Sequence, residues 1–270
     1  MGRNKIDRTG ETNVSNEGCI MKIAEYDNAN NIIVEFEDEH KYRLHTYYQA
    51  FKNGECKNPF FASVFGHGYL GVDKNGNVPK MSEFKDGKNV HTWEYNKWMN
   101  MLQRCFDNRF KEKYPTYKDV TCCDRWLCFA NFLEDLEILK QEYNWDDDIK
   151  LNLDKDILNK NNKIYSLENC VLVPQWINSL YIKRDNDRGS YPVGVTYHKK
   201  DRKYEARCHI NGKKIGLGLY STPEQAFNAY KIAKEQEIKR IANECVSKGY
   251  MAKDSRLYNA MINYQVEIDD

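Results

Sequence analysis

Hydrophobic and polar positions recur with two different periods along this chain, and the change of period marks its parts. The first eighteen residues, MGRNKIDRTGETNVSNEG, are polar and read as a flexible arm. From Cys19 the period is two. Ile20, Lys22 and Ala24 interleave with Met21, Ile23 and Glu25, and a turn-like Asp27-Asn28-Ala29-Asn30-Asn31 leads into Ile32-Ile33-Val34-Glu35-Phe36. Residues 42–48, Phe60-Phe61 and Val64-Phe65 continue the short apolar runs. The pattern predicts a small β-barrel within residues 19–89, trailing into a Gly-, Asn-, Lys- and Asp-rich loop from Gly66 to about Asn89.

The period then lengthens to that of a helix. Tyr95, Trp98, Met99, Leu102, Cys105 and Phe106 predict a helix over residues 92–106 with Thr92 as N-cap. Trp126, Phe129, Ala130, Leu133 and Leu136 predict a second over 124–143 with Asp124 as its cap. Both stripes read as core. Beyond Ile149 the order is strand, loop, strand, helix: Lys150-Leu151-Asn152-Leu153-Asp154, a polar loop at Asn159–Asn162, Cys170–Val173, then a helix from Pro174 through Ile177 and Leu180. These elements make a central domain of residues 90–187, and Asp185–Ser190 read as a linker.

Residues 188–245 form the last folded unit. Three alternating segments, 193–197, 203–210 and 214–220, predict an antiparallel sheet, with Asn211-Gly212 as its hairpin turn. Thr222-Pro223-Glu224-Gln225 then opens a helix to about Glu244. Residues 246–270 read as a tail. The whole is an α+β multidomain chain: N-terminal β-barrel, central helices with a ββα unit, and a C-terminal three-stranded antiparallel sheet packed on one helix.

Composition narrows the classes. No run of eighteen apolar residues occurs and the mean hydropathy is −0.82, so no membrane span is expected. The polar N-terminus has no secretory core, and Ile6 stands where a myristoylation signal beginning at Gly2 needs a small hydroxyl residue. Nine cysteines without framework spacing read as reduced thiols in a cytoplasmic protein. Cys105, Cys122, Cys123, Cys128 and Cys170 would make a zinc site only by converging from distant segments.

The net charge of +1 argues at first against a polyanionic partner. It hides segregation: residues 188–245 carry twelve basic and six acidic side chains, a net of +6, against −4 before them and −1 after. Seven of the basic residues, Lys199, Lys200, Arg202, Lys203, Arg207, Lys213 and Lys214, fall in the meander beside His198 and His209. Residues two apart on a strand share a face. Lys203, Glu205, Arg207 and His209 therefore point away from the helix, and such a sheet can enter a DNA major groove.

Gly194-Val195-Thr196-Tyr197, Lys203-Tyr204-Glu205-Ala206-Arg207, Gly216-Leu217-Gly218-Leu219-Tyr220 and Thr222–Tyr230 resemble the ethylene-response-factor (apetala-type) DNA-binding domain in order and spacing. The resemblance covers about fifty residues. It implies binding of double-stranded DNA through Lys199, Lys200, Arg202, Lys203, Arg207, His209, Lys213 and Lys214. Tyr204 replaces the family's usual Trp, so base preference does not carry over.

Upstream, Leu153-Asp154-Lys155-Asp156-Ile157, the polar loop, Tyr165–Cys170 and a helix bearing Asn178 have the layout of a ββα metal finger. Such a site needs an oxygen ligand ending the first strand, a second ligand on the helix and a neighbouring base. The region resembles the HNH (His-Me finger) homing endonucleases of phage and bacterial genomes. That resemblance implies a Mg²⁺ or Mn²⁺ ion on Asp154 and Asn178, catalytic duties for Asp154, Lys155, Asn169 and Asn178, and a setting in the host cytoplasm for a phage protein. Lys155 stands where the catalytic His belongs. A lysine ammonium can hold a phosphate but is a poor general base, and Asp156, as a strand neighbour, is expected to face the other way. Two readings follow: a metal-dependent endonuclease, or a DNA-binding regulator that keeps the fold without cleavage, with Asp154 capping a turn and Asn169 satisfying the loop. A third, more distant reading makes the N-terminal barrel an RNA- or protein-binding module.

Overall fold

A computed structural model describes residues 6–181 and 191–268. Gly2, Arg188 and the linker expected at Asp185–Ser190 lie outside the described residues. The chain is mixed α and β with several small sheets, and it divides into two compact units, residues 1–134 and 135–270.

In the first unit, β1 (Thr12–Val14), β2 (Ile20–Asn28), β3 (Asn31–Phe36) and β4 (Arg43–Thr46) form an antiparallel meander in that order. This is an open sheet, where the sequence pattern suggested a closed barrel. Its strands are apolar on one face only, and α1 (Tyr48–Lys52) covers that face: Phe51 packs with Met21, Ile23, Ile32, Val34 and Phe36. Burying a phenylalanine contributes about 1.5–3 kcal/mol, so a helical lid makes closure unnecessary. Residues 12–14 are also not a loose arm. They pair with β2, and the Asn13 amide donates to the Phe51 carbonyl at 2.7 Å.

The stretch expected as loop contains a hairpin, β5 (Ser82–Lys85) and β6 (Lys88–His91). Next come α2 (Trp93–Phe106), whose N-cap Thr92 accepts the Tyr95 N–H, α3 (Asn108–Lys113) and the two-residue strand β7 (Thr121–Cys122). The helix expected over 124–143 is broken. Residues Asp124–Leu127 make a 3₁₀ turn, Cys128 is extended, and α4 runs Phe129–Gln141. The break has a tertiary cause: the backbone here bonds Tyr69 and Leu70 instead of continuing a helix, with Phe129 N–H to Tyr69 O at 2.8 Å and Ala130 N–H to Leu70 O at 2.9 Å. Asp124 accordingly does not cap α4. The core seals around Trp98, whose indole N–H donates to the Trp126 carbonyl at 2.8 Å.

The second unit opens with β8 (Leu151–Asp154), β9 (Ile164–Tyr165), β10 (Val171–Pro174) and the single-turn helix α5 (Gln175–Asn178). β8 and β10 are antiparallel neighbours, with Asp154 opposite Val171. Pro174 ends β10 and precedes α5, which stops at Asn178 rather than Leu180. Then β11 (Val195–His198), β12 (Lys203–Ile210) and β13 (Lys213–Tyr220) form a three-stranded antiparallel sheet. α6 (Pro223–Ser247) follows, capped by Thr222 accepting the Gln225 N–H.

α6 serves two cores. Its first turns, Ala226 and Phe227, pack on Val195 and Ala206 of the sheet. Its last turns, Ile238, Ala242 and Cys245, pack with Val171, Val173 and Ile177 of the β8–β10–α5 group. The expected tail is folded as well. It forms α7 (Arg256–Ile262), placing Leu257, Tyr258 and Met261 in the second core and Val266 in the first. No helix among the described residues is long and apolar enough to cross a membrane.

Candidate nucleic-acid interface

The sheet β11–β12–β13 has one covered and one open face. Ala206 and Cys208 are buried toward α6, so the intervening Lys203, Glu205, Arg207 and His209 face outward. Register extends that face sideways: Lys203 pairs with His198, Glu205 with Thr196 and Leu219, and His209 with Lys214. Lys203, Arg207, His209 and Lys214 thus share the open side. Lys213, paired with Ile210, lies on the opposite side, while Lys199, Lys200 and Arg202 occupy the exposed β11–β12 turn, where Arg202 has φ 52°.

The open face has structure of its own. A β-bulge between Ala206 and Arg207 sets Arg207 opposite Gly216, which has no side chain to cover it. The Arg207 guanidinium donates to Glu205 at 2.7 Å, and this bond holds the Glu205 carboxyl below its ordinary range. Glu205 therefore fixes the arginine's direction while reducing the net charge around it. The six-residue advance from Lys203 to His209 is about 20 Å at strand spacing. That length bridges a major groove about 12 Å wide, with lysines at both ends and Arg207 between them.

The Asn211-Gly212 turn is of the twisted type that needs both residues at positive φ, here 50° and 72°. It is tied to the helix beneath. The Asn211 N–H donates to Glu237 Oε1 at 2.8 Å, and buried Glu237 also accepts Arg240 Nε at 2.7 Å and Nη2 at 2.9 Å. The Arg240 guanidinium holds the Glu237 carboxyl below its ordinary range. In the sequence Glu237 counts only as one of the six acidic side chains of residues 188–245, and nothing local announces this anchor.

The residues assigned to chemistry lie on the β8–β10–α5 group. Asp154 ends β8 and Asn178 ends α5, but no hydrogen bond joins them among the described residues. Asp154 Oδ1 accepts the N–H groups of Asp156 at 2.7 Å and Ile157 at 2.9 Å, closing the turn after the strand. Burial pushes the Asp154 carboxyl above the ordinary carboxylate range despite those two donors. Lys155 is buried over the Tyr165 ring, and its ammonium pairs with Asp156. These neighbours therefore meet. Alternation ends with the strand at Asp154, and the turn brings the two side chains together. Asn169 accepts from the Asn159 amide at 3.2 Å, and its own N–H reaches Ser166 Oγ at 3.4 Å.

One residue that organises this loop lies far away in sequence. Arg256 of α7 donates to the carbonyls of Leu167 (3.0 Å), Glu168 (2.8 Å) and Cys170 (2.8 Å), and pairs with Glu142 at 2.7 Å. No group of three or more His, Cys, Asp or Glu side chains able to hold a metal forms among the described residues. No family model, curated protein or solved structure matches the chain.

Proposed function

We propose that this protein binds double-stranded DNA through the open face of β11–β12–β13, in the manner of the ethylene-response-factor domains its sequence resembles. One observation carries the reading. Lys203, Arg207, His209 and Lys214 stand together on an uncovered sheet face, with Arg207 aimed by Glu205 and set opposite a glycine. Exposed ammonium groups at both ends suit phosphates, and a buttressed guanidinium suits a guanine edge.

For the HNH-like group we favour a retained scaffold over a cutting centre. Asp154 Oδ1 is engaged in closing its own turn, and the ammonium next in the chain opposes a divalent cation. The position of the expected base is filled by a lysine packed inward on Tyr165. The donors do not fit a hydrolytic Mg²⁺ or Mn²⁺ site. The β8–β10–α5 order is what speaks for the endonuclease reading.

Both parts are tested on one preparation. Duplex affinity measured across a salt series should fall steeply, and Lys203→Ala with Arg207→Ala should flatten the slope by about 1.8. An unchanged slope removes the sheet from the interface. Incubation of genomic DNA with Mg²⁺ or Mn²⁺ should leave it intact; discrete nicks lost in Asp154→Ala would restore the endonuclease.

A further inference from the structure

The β5–β6 hairpin is closed by Asp86 and Gly87, both at positive φ (50° and 77°). All residues from Met81 to His91 are exposed, and Phe84, at 76%, is the most exposed large apolar side chain among the described residues. The base is fixed to α2. The Thr92 N–H donates to the Met81 carbonyl at 3.0 Å, the Asn96 amide donates to the His91 carbonyl at 3.2 Å, and the His91 ring lies 4.8 Å from that of Tyr95. Beyond this base the strands extend for about 13 Å at ordinary strand spacing.

A lone two-stranded hairpin is only marginally stable in water, and the pairing within this one adds a penalty. Lys85 is directly opposite Lys88, an unfavourable juxtaposition of like charges. Among the described residues, Lys80, Lys85 and Lys88 form no ion pair, and only Glu83 and Asp86 on the arm are acidic. Alternation puts Glu83, Lys85, Lys88 and Val90 on one face, and Ser82, Phe84, Asn89 and His91 on the other. A polyanion relieves the lysine repulsion, and the face of an unstacked base covers the phenylalanine. An apolar protein partner would satisfy Phe84 but leave the lysine pair uncompensated.

We propose that the β5–β6 hairpin is a second DNA-contacting arm, laid in a groove of the duplex with Lys85 and Lys88 on backbone phosphates and Phe84 wedged at a base step. The arm rests on the reading of the protein as a DNA binder but is separate from the sheet that carries that reading.

The test uses the full chain and a mixed-sequence duplex carrying 2-aminopurine. Lys85→Ala with Lys88→Ala should flatten the salt slope by about 1.8. Phe84→Ala should keep the wild-type slope, lose about five- to a hundredfold in affinity, and abolish the fluorescence rise that marks unstacking in the wild-type complex. Thermal unfolding of these surface variants should match the wild type. If the wild type binds no duplex, the DNA reading and the arm fall together. If Lys203→Ala with Arg207→Ala weakens binding while the arm variants match the wild type in slope and fluorescence, the arm is overturned and the sheet stands. If Phe84→Ala instead converts a wild-type dimer to monomer without affecting DNA, the hairpin joins two copies and the proposal fails.

Discussion

Replacing Glu237 with alanine should loosen the β11–β12–β13 sheet from below without touching its open face. Three bonds are lost, from Asn211 N–H and from Arg240 Nε and Nη2. The Asn211 bond goes to an ionised acceptor on a side chain only 5% exposed, and such bonds contribute about 1.5–3 kcal/mol. Arg240 is 41% exposed and keeps its bond to Glu244 at 2.8 Å, so solvent screening limits the ion-pair loss to about 0–1 kcal/mol. The expected cost is about 1.5–4 kcal/mol. Glu237→Gln retains an acceptor for Asn211 and should cost about half as much. The assay is urea unfolding followed by the fluorescence of Trp145 and Trp176, which belong to the second unit, together with hydrogen exchange at Asn211. The pH dependence has a definite sign. Arg240 depresses the folded-state pKa of Glu237, so its contribution is complete above the ordinary carboxylate range and is lost as the pH falls through the depressed value. The stability gap between wild type and Glu237→Gln should therefore narrow on acidification. A loss below about 1 kcal/mol in Glu237→Ala, or a gap indifferent to pH, would refute the anchor.

Other substitutions probe separate links. Arg256→Ala strips three loop carbonyls of their donor, and should cost about 2–4 kcal/mol and speed exchange in residues 166–170, whereas an unaltered exchange pattern would remove its clamping role. Gly194→Ala puts a methyl group into the Tyr230 ring at φ 73°, and should cost about 2–4 kcal/mol in urea unfolding; a neutral result would displace Gly194 from that contact. Asp154→Ala should cost about 1–2 kcal/mol through loss of its turn bonds yet leave duplex affinity unchanged, and lost affinity would put Asp154 in the interface.

What the residue pattern made legible was local. Thr92 and Thr222 cap their helices because hydroxyl, spacing and apolar stripe all lie within one turn of chain. The sheet face that displays Arg207 follows from strict alternation along residues 203–209. Distant partners defeated the reading elsewhere. The helix broken at Cys128 has an unbroken helical stripe, and only the backbone of Tyr69 and Leu70 interrupts it. The open sheet looked like a barrel because nothing in its strands announces that Phe51 will cover them. The β5–β6 hairpin did carry a signal, Asp86-Gly87, but its flanks are polar and lack the alternation that accompanies a buried strand. Arg256 reaches carbonyls more than eighty residues away, a relation no spacing rule contains.

The folded C-terminal segment has a consequence for synthesis. Val266 belongs to the core of the sheet, and Leu257, Tyr258 and Met261 belong to the core beneath β8 and β10. Neither core can close on the ribosome while these residues are still inside it. The sheet strands, Val195 to Tyr220, are made about 46 to 71 residues before Val266 and must wait for that piece of their core. A stalled or clipped chain lacking only this segment would therefore release a protein that keeps all of its basic sheet residues but lacks the last pieces of both cores, a ready target for proteolysis.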